Sequence, residues 1–184
     1  MNDYLISLRL TIFSLVICSA AYPAVILGLA SVAAPYKRQG SLVHDQNGTV
    51  VGSWLLAQKF TRPEYFWPRP SAVDYNASAT GGSNKSPTNP DLTRRAAETL
   101  AQLQPGEGQL VPADLVAASG SGLDPNITLA AARFQAPRVA QARKLSVEKV
   151  EELINQHTDS PTLAIFGGEP LVNILLLNLA LDDL

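Results

Sequence analysis

Residues Leu10 to Ala34, LTIFSLVICSAAYPAVILGLASVAA, include no charged side chain and are bracketed by Arg9 on one side and Lys37 and Arg38 on the other. A helix rises about 1.5 Å per residue, so roughly 20 apolar residues cross a hydrocarbon core about 30 Å thick. The run therefore predicts one transmembrane helix over residues 10–34, behind a short leader, residues 1–9. A lone span must satisfy its backbone donors and acceptors internally, which leaves the helix as its only form. Pro23 lies near its middle and is expected to kink it. Ser19, Ala20, Ala21, Ala24 and Gly28 gather around that point, so Pro23, Ala24 and Gly28 mark a surface on which another helix can pack closely. An uncommitted lipid anchor is the plainer alternative. A cleaved signal peptide is another, because Ser31-Val32-Ala33 ahead of Ala34 loosely fits a small-x-small cleavage site. The run exceeds the roughly 7 to 15 apolar residues of a signal peptide, and the leader carries Asp3 as well as Arg9, so a retained span is favoured.

Beyond the span, about 150 residues remain, enough for one domain with a genuine core, assigned here to residues 35–184. The formal net charge is −2. With acids and bases interspersed there is no basic stripe of the kind that binds nucleic acid, and no polybasic cluster to hold anionic lipid. The single cysteine, Cys18, falls inside the span, so the domain has neither a disulfide nor a thiolate site. Orientation is nearly even by charge: Arg9 and the terminal amine stand against Lys37 and Arg38, and long domains translocate largely regardless of such counts.

Along the domain, Asn47-Gly48 is a turn dipeptide, and Thr49-Val50-Val51 reads as a short strand. From Phe60 to Pro90 the chain carries Pro63, Pro68, Pro70, Pro87 and Pro90 with Gly81 and Gly82, too many breakers for a long regular element. The same stretch holds Tyr65, Phe66, Trp67 and Tyr75, which predicts a long ordered loop packed on the domain. Asn89-Pro90-Asp91 supplies a cap, a proline at the first helical position and an acid in the first turn, predicting a helix to about Gln104. A short helix is expected over Pro112 to Ala118. Another should start at Asp124-Pro125 with Asp124 as cap and break or bend near Pro137, with Arg138, Arg143 and Lys144 on a solvated face. Ser146 should cap a further helix to Ile154, completing a helical hairpin. Leu163 to Phe166 reads as a strand, and Leu171 to Leu181 as a buried core helix, too short to span a membrane. The predicted class is α+β: one transmembrane helix followed by a single mixed soluble domain with a small sheet and several helices.

Catalytic signatures are lacking. A phosphate loop needs glycines at both ends of G-x-x-x-x-G-K-[ST], whereas the run ending Lys85-Ser86 has Ala79 and Asn84 there. A nucleophile elbow needs G-x-S-x-G, and Ser119-Gly120-Ser121-Gly122-Leu123 misses the spacing. His157 falls at a predicted helix C-terminus, where it meets the dipole favourably and needs no triad role with Asp124 or Asp159. His, Cys and carboxylates do not cluster at metal-ligand spacing. The run ASGSGLDP could hold an anion if its N–H groups formed a nest; its glycines could equally serve only to turn the chain.

Several phrases taken in order, FTRPEYFWPRPSAVDYNASATGGSN, NPDL, VPADLVAASGSGLDPNITLAAARFQAPRVAQAR, INQHT and GGEPLVNILLLNLALD, resemble the KdpC subunit family of the bacterial Kdp potassium-transporting ATPase along the length of the chain. The resemblance implies a non-catalytic, single-pass subunit of the inner membrane, in contact with lipid and not nucleic acid. Its partners would be a channel-like KdpA, the phosphorylated ATPase KdpB and a small stabilising KdpF. It also implies a catalytic chaperone that promotes ATP binding by KdpB, with Ser119, Gly120, Ser121, Gly122 and Asp124 as nucleotide-related residues and no cofactor bound by the chain alone. A periplasmic domain above KdpA is implied as well. ATP is cytoplasmic, so the last two implications agree only if the nucleotide effect is coupled through the complex. A membrane-anchored extracytoplasmic hydrolase or binding module is the alternative reading.

Overall fold

The computed structural model describes residues 2–160 and 168–184. The chain divides into two compact units, one ending at Leu42 and the other Val43–Leu184.

The first unit is one apolar helical rod, Asn2–Ala33, built from α1 (Asn2–Val16), a π turn (Ile17–Ala21) and α2 (Tyr22–Ala33). Helix extends through the residues expected to form a leader, because nothing between Asn2 and Leu10 breaks it. The π turn explains how Pro23 is accommodated. A proline ring collides with the carbonyl four residues back and offers no N–H; widening the preceding turn relieves the collision. Tyr22 N–H accordingly reaches five residues back, to the Ile17 carbonyl. The single turn α3 (Pro35–Arg38) follows.

Strands β1 (Leu42–His44) and β2 (Val50–Ser53) form a two-stranded sheet. Its turn is held by the Asp45 carboxylate, which accepts from Asn47 and Thr49 N–H, with Gly48 at φ +78°. Helix α4 (Pro90–Leu103) begins as the proline pattern predicts, with Asn89 capping through Asp91 N–H. Its first turn is pinned by Lys85 and Arg94, which hold the Asp91 carboxyl below its ordinary value, the Lys85 hydrogen bond contributing most.

Three expectations are corrected at the centre of the fold. The helix expected over Pro112 to Ala118 is only a 3-10 turn, Ala113–Leu115. Asp124 caps no helix. Its carboxylate accepts from Asn126 N–H and the chain first runs as strand β3 (Asn126–Thr128), so Thr128 caps α5 (Leu129–Arg143) instead. The β-branched Ile127 and Thr128 suit a pleated edge, and Ile127 is buried against Val172, its partner in register. Third, α5 is unbroken at Pro137. The proline is exposed, while Ala131, Ala132, Gln135, Ala136, Val139 and Ala140 on the opposite side are buried. Burying that face outweighs a proline cost of about 3 kcal/mol.

Helix α6 (Val147–Gln156), capped by Ser146 as expected, lays Val150 and Ile154 on the alanine-rich face of α5. Small residues permit that close approach. Strands β4 (Thr158–Asp159) and β5 (Leu171–Asn173) complete an antiparallel sheet in the order β3-β5-β4. Helix α7 (Ile174–Asp182) buries Ile174, Leu177 and Leu181. The apolar tail is thus a core helix, except that Leu171–Asn173 pair as a strand. The strand expected at Leu163 to Phe166 lies outside the described residues.

Candidate functional site

Between Ser53 and Pro90 the chain has no helix or strand, yet it is ordered by side chains from α5 and α7. The buried Asn178 amide accepts from Phe66 N–H at 2.8 Å and donates to the Phe66 carbonyl at 3.0 Å. One residue on, the buried Gln135 amide does the same for Trp67, at 2.9 and 3.1 Å. Each amide imitates a passing β-strand. Arg138 donates to the Pro63 and Tyr65 carbonyls, and Arg143 to the Glu64 carbonyl. Every residue from Pro63 to Trp67 therefore has a main-chain group met by a helix side chain, which is how a proline-rich stretch is packed with its backbone hydrogen-bonded.

These contacts correct the expectation that Arg138 and Arg143 are solvated. The Arg138 guanidinium lies 3.9 Å from the centre of the Trp67 ring, and burial pushes its pKa down to about 10, leaving it charged at neutral pH. Arg143 pairs with Asp182 at 2.6 Å and lies over the Tyr65 ring, while the Tyr65 hydroxyl donates to the same carboxylate at 2.9 Å. A recognisable signal was the coincidence of a carbonyl-rich Pro/aromatic loop with Gln135 on the alanine face of α5 and Asn178 in the apolar α7; helical periodicity alone does not say that they meet.

The residues singled out by resemblance for a nucleotide, Ser119 to Gly122 and Asp124, lie against the next part of that loop. Ser119 is buried and its N–H donates to the Pro70 carbonyl at 3.1 Å. The Ser121 carbonyl accepts from Gly81 N–H at 2.8 Å, and the Gly122 carbonyl from the Ser71 hydroxyl at 2.6 Å. The Ser121 hydroxyl accepts from Leu123 N–H. Asp124 pairs with Arg69 at 3.0 Å, both partly buried. A side chain at Gly82 would come within 3.1 Å of the Gly120 carbonyl, so here two backbones touch. At the Gly120 carbonyl and at Gly122 the two loops seat against each other. No hydrogen bond joins Ser121, Asp124 and His157 among the described residues; His157 Nδ1 instead faces the Leu153 carbonyl at 3.0 Å.

The turn supporting this contact is strained. Asp74 and Tyr75 both have left-handed backbones, φ +50° and +57°, held by the Ser71 hydroxyl accepting from Val73 and Tyr75 N–H. The Tyr75 hydroxyl donates to the Arg69 carbonyl at 2.9 Å, and burial, assisted by Asp74, pushes its pKa up to about 12. A free tyrosine ionises near 10, so between about pH 10 and 12 the unfolded chain has lost a proton that the folded chain keeps. Stability should therefore fall as pH rises through that window. Tyr75→Phe in detergent should flatten that fall and remove one late-titrating phenol from the ultraviolet difference spectrum; an unchanged high-pH titration contradicts the assignment.

Among the described residues, no group of three or more His, Cys, Asp or Glu is placed to hold a metal. A cleft of about 400 Å³ lies away from the glycine segment, bounded by Phe60, Tyr65, Leu175 and Leu179 with Lys59 and Arg62 at its edge. Both cations are already paired, with Asp74 and Glu64.

A family model described as KdpC, the c chain of the K+-transporting ATPase, matches residues 4–183. A relative named potassium-transporting ATPase KdpC subunit, from Parvibaculum lavamentivorans, is 49% identical over 182 residues, covering 99% of this chain and 97% of the relative. Relatives of the same name from Geobacter metallireducens and a Synechocystis species are each 44% identical, the first covering 100% of this chain and 99% of itself, the second 99% and 98%.

Proposed function

Because this chain belongs to the KdpC family of K+-transporting ATPase subunits, we propose that it assembles with KdpA, KdpB and KdpF and raises the ATP affinity of KdpB from the far side of the membrane. Family membership makes it an accessory subunit of potassium uptake and not the catalytic one. The observation that carries the finer reading is how the glycine segment is tied to its own domain: the Pro70 carbonyl accepts from Ser119 N–H, Gly81 N–H and the Ser71 hydroxyl donate to the Ser121 and Gly122 carbonyls, and Arg69 holds Asp124, with Gly120 and Ser121 left exposed. These contacts give the segment a structural role that needs no nucleotide. Coupling then consists of stabilising one transport state of the complex over another, with ATP bound by the complex and no cofactor bound by this chain. Pro23, Ala24 and Gly28 serve as the packing surface of the anchor, since among the described residues a Cβ at Gly28 would meet nothing within 4 Å.

In this reading the first residues are cytoplasmic, the helix Asn2–Ala33 crosses the inner membrane, and the domain is periplasmic. Leu110 is 91% exposed, which makes it a good reporter. Leu110→Cys on a Cys18→Ala background should react with an impermeant maleimide in intact spheroplasts; protection until lysis reverses the orientation. In the assembled ATPase, Ser121→Ala should leave the apparent ATP affinity within about twofold of the parent, whereas omitting the chain should weaken it. Photoaffinity labelling of Ser119 to Asp124 by an ATP analogue would overturn the indirect mechanism.

A further inference from the structure

We propose that the π turn of the membrane helix is a docking notch for a hydrogen-bond donor carried by a membrane helix of another subunit, an inference that rests on the reading of this chain as part of a multisubunit ATPase. In a regular helix the Tyr22 N–H would serve the Cys18 carbonyl, and that of residue 23 the Ser19 carbonyl. Here the Tyr22 N–H is given to Ile17, and residue 23 is a proline with no N–H. Ala24 supplies the only other amide within reach, and it can satisfy at most one of the two. At least one carbonyl, of Cys18 or Ser19, therefore lacks a main-chain donor.

The side chains do not repair this. Ser31 turns its hydroxyl back onto the Leu27 carbonyl at 2.6 Å, but among the described residues the Ser19 hydroxyl makes no hydrogen bond, and Cys18 is exposed. In water such groups are solvated at no cost. At the middle of a 32-residue apolar helix none of whose residues is buried, they face hydrocarbon, where an unmet carbonyl is strongly unfavourable.

The chemistry of the notch selects its occupant. A bare carbonyl only accepts, so the partner must bring an N–H or O–H: the side chain of Ser, Thr, Asn, Gln, Trp, Lys or Arg. An acyl chain has none. In and beside the widened turn Ser19, Ala20, Ala21 and Ala24 are small, which lets a second helix approach alongside Tyr22 and bring a short donor close. Shape and hydrogen-bonding demand thus coincide at one place on the rod, which distinguishes this contact from general packing along Ala24 and Gly28.

A small diazirine amino acid placed at Cys18, in the complete complex in native-like lipid, tests this. Illumination should give a protein adduct to a membrane-spanning segment of another subunit, at or next to a donor residue. Adducts to lipid alone, or to a second copy of this chain, overturn the proposal. Pro23→Ala returns an N–H opposite Ser19 and removes the reason for the notch. It should insert normally yet lower recovery of the chain with the complex at least fivefold; recovery equal to the parent also overturns it. If the unmodified chain itself recovers no ATPase subunit, the subunit reading fails, and this inference with it. If it recovers them while Cys18 labels lipid only, the notch alone is refuted.

Discussion

Asn178→Leu should destabilise the domain by about 3–5 kcal/mol. The leucine matches the size of the buried asparagine but leaves the N–H and carbonyl of Phe66 without partners, at about 1–3 kcal/mol for each buried group so orphaned. Phe66 is itself fully buried, so its peptide cannot turn to water without lifting its ring from the core made with Val139, Leu177 and Leu181. Domains of this size are stable by only about 5–15 kcal/mol, and a loss of this magnitude should lower the unfolding temperature by roughly 10 °C or more. Thermal unfolding of the full chain in detergent, followed by tryptophan fluorescence, measures it. Trp67 is held one residue further along by Gln135 and stacked under Arg138, so its emission reports release of the loop. A shift equal to that of an exposed substitution such as Leu110→Ala would show that the loop is held by its apolar side chains alone.

Gly122→Ala should cost about 2–4 kcal/mol, and it discriminates between two accounts of the glycine-rich segment. Gly122 has φ +71°, where an L-residue is disfavoured by about 1–2 kcal/mol. The added methyl would also sit 2.6 Å from the nearest Val73 methyl and 2.9 Å from the Gly81 carbonyl, and the backbone on that side cannot move without undoing the contact between the loops. Overpacking of this kind adds about 1–3 kcal/mol. Gly120 faces open space, so Gly120→Ala should be nearly neutral, and Ser121→Ala should forfeit about 1 kcal/mol for its hydrogen bond from Leu123 N–H. Chemical denaturation of the three variants yields the order Gly122 ≫ Ser121 > Gly120 if the segment is structural. If it bound nucleotide directly, Gly120→Ala and Ser121→Ala would instead impair ATP binding with stability intact.

Both expectations concern contacts between segments far apart in sequence, and that is where reading from residues alone ran out. The apolar length of Leu10 to Ala34, the cap at Asn89-Pro90, the cap at Ser146 and the breaker-rich loop from Phe60 are local statements, and the helices and the loop follow them. Local chemistry decides these because a cap, a proline or an uncharged run acts on its own neighbours. The same local logic misplaced the start of α5. Asp124-Pro125 is a good cap, but pairing of Asn126–Thr128 with Leu171–Asn173, some 45 residues away, offers more than one extra helical turn would. It also read Pro137 as a break or bend, whereas the helix continues through it, because the burial of the alanine face of α5 against α6 is not written in the vicinity of the proline.

Arg138 and Arg143 show the limit most plainly. By composition and helical position they belong to a solvated face, and only the fold shows that the Pro63–Trp67 backbone passes over them and takes their donors. The membrane anchor, the α+β class, the ordered loop and the family resemblance were thus determined by sequence, since each rests on residue type and spacing. The tertiary structure decided what the polar residues inside the domain are for. A buried amide or guanidinium takes its role from whichever main-chain groups long-range packing leaves without a partner, and that packing is a property of the whole chain.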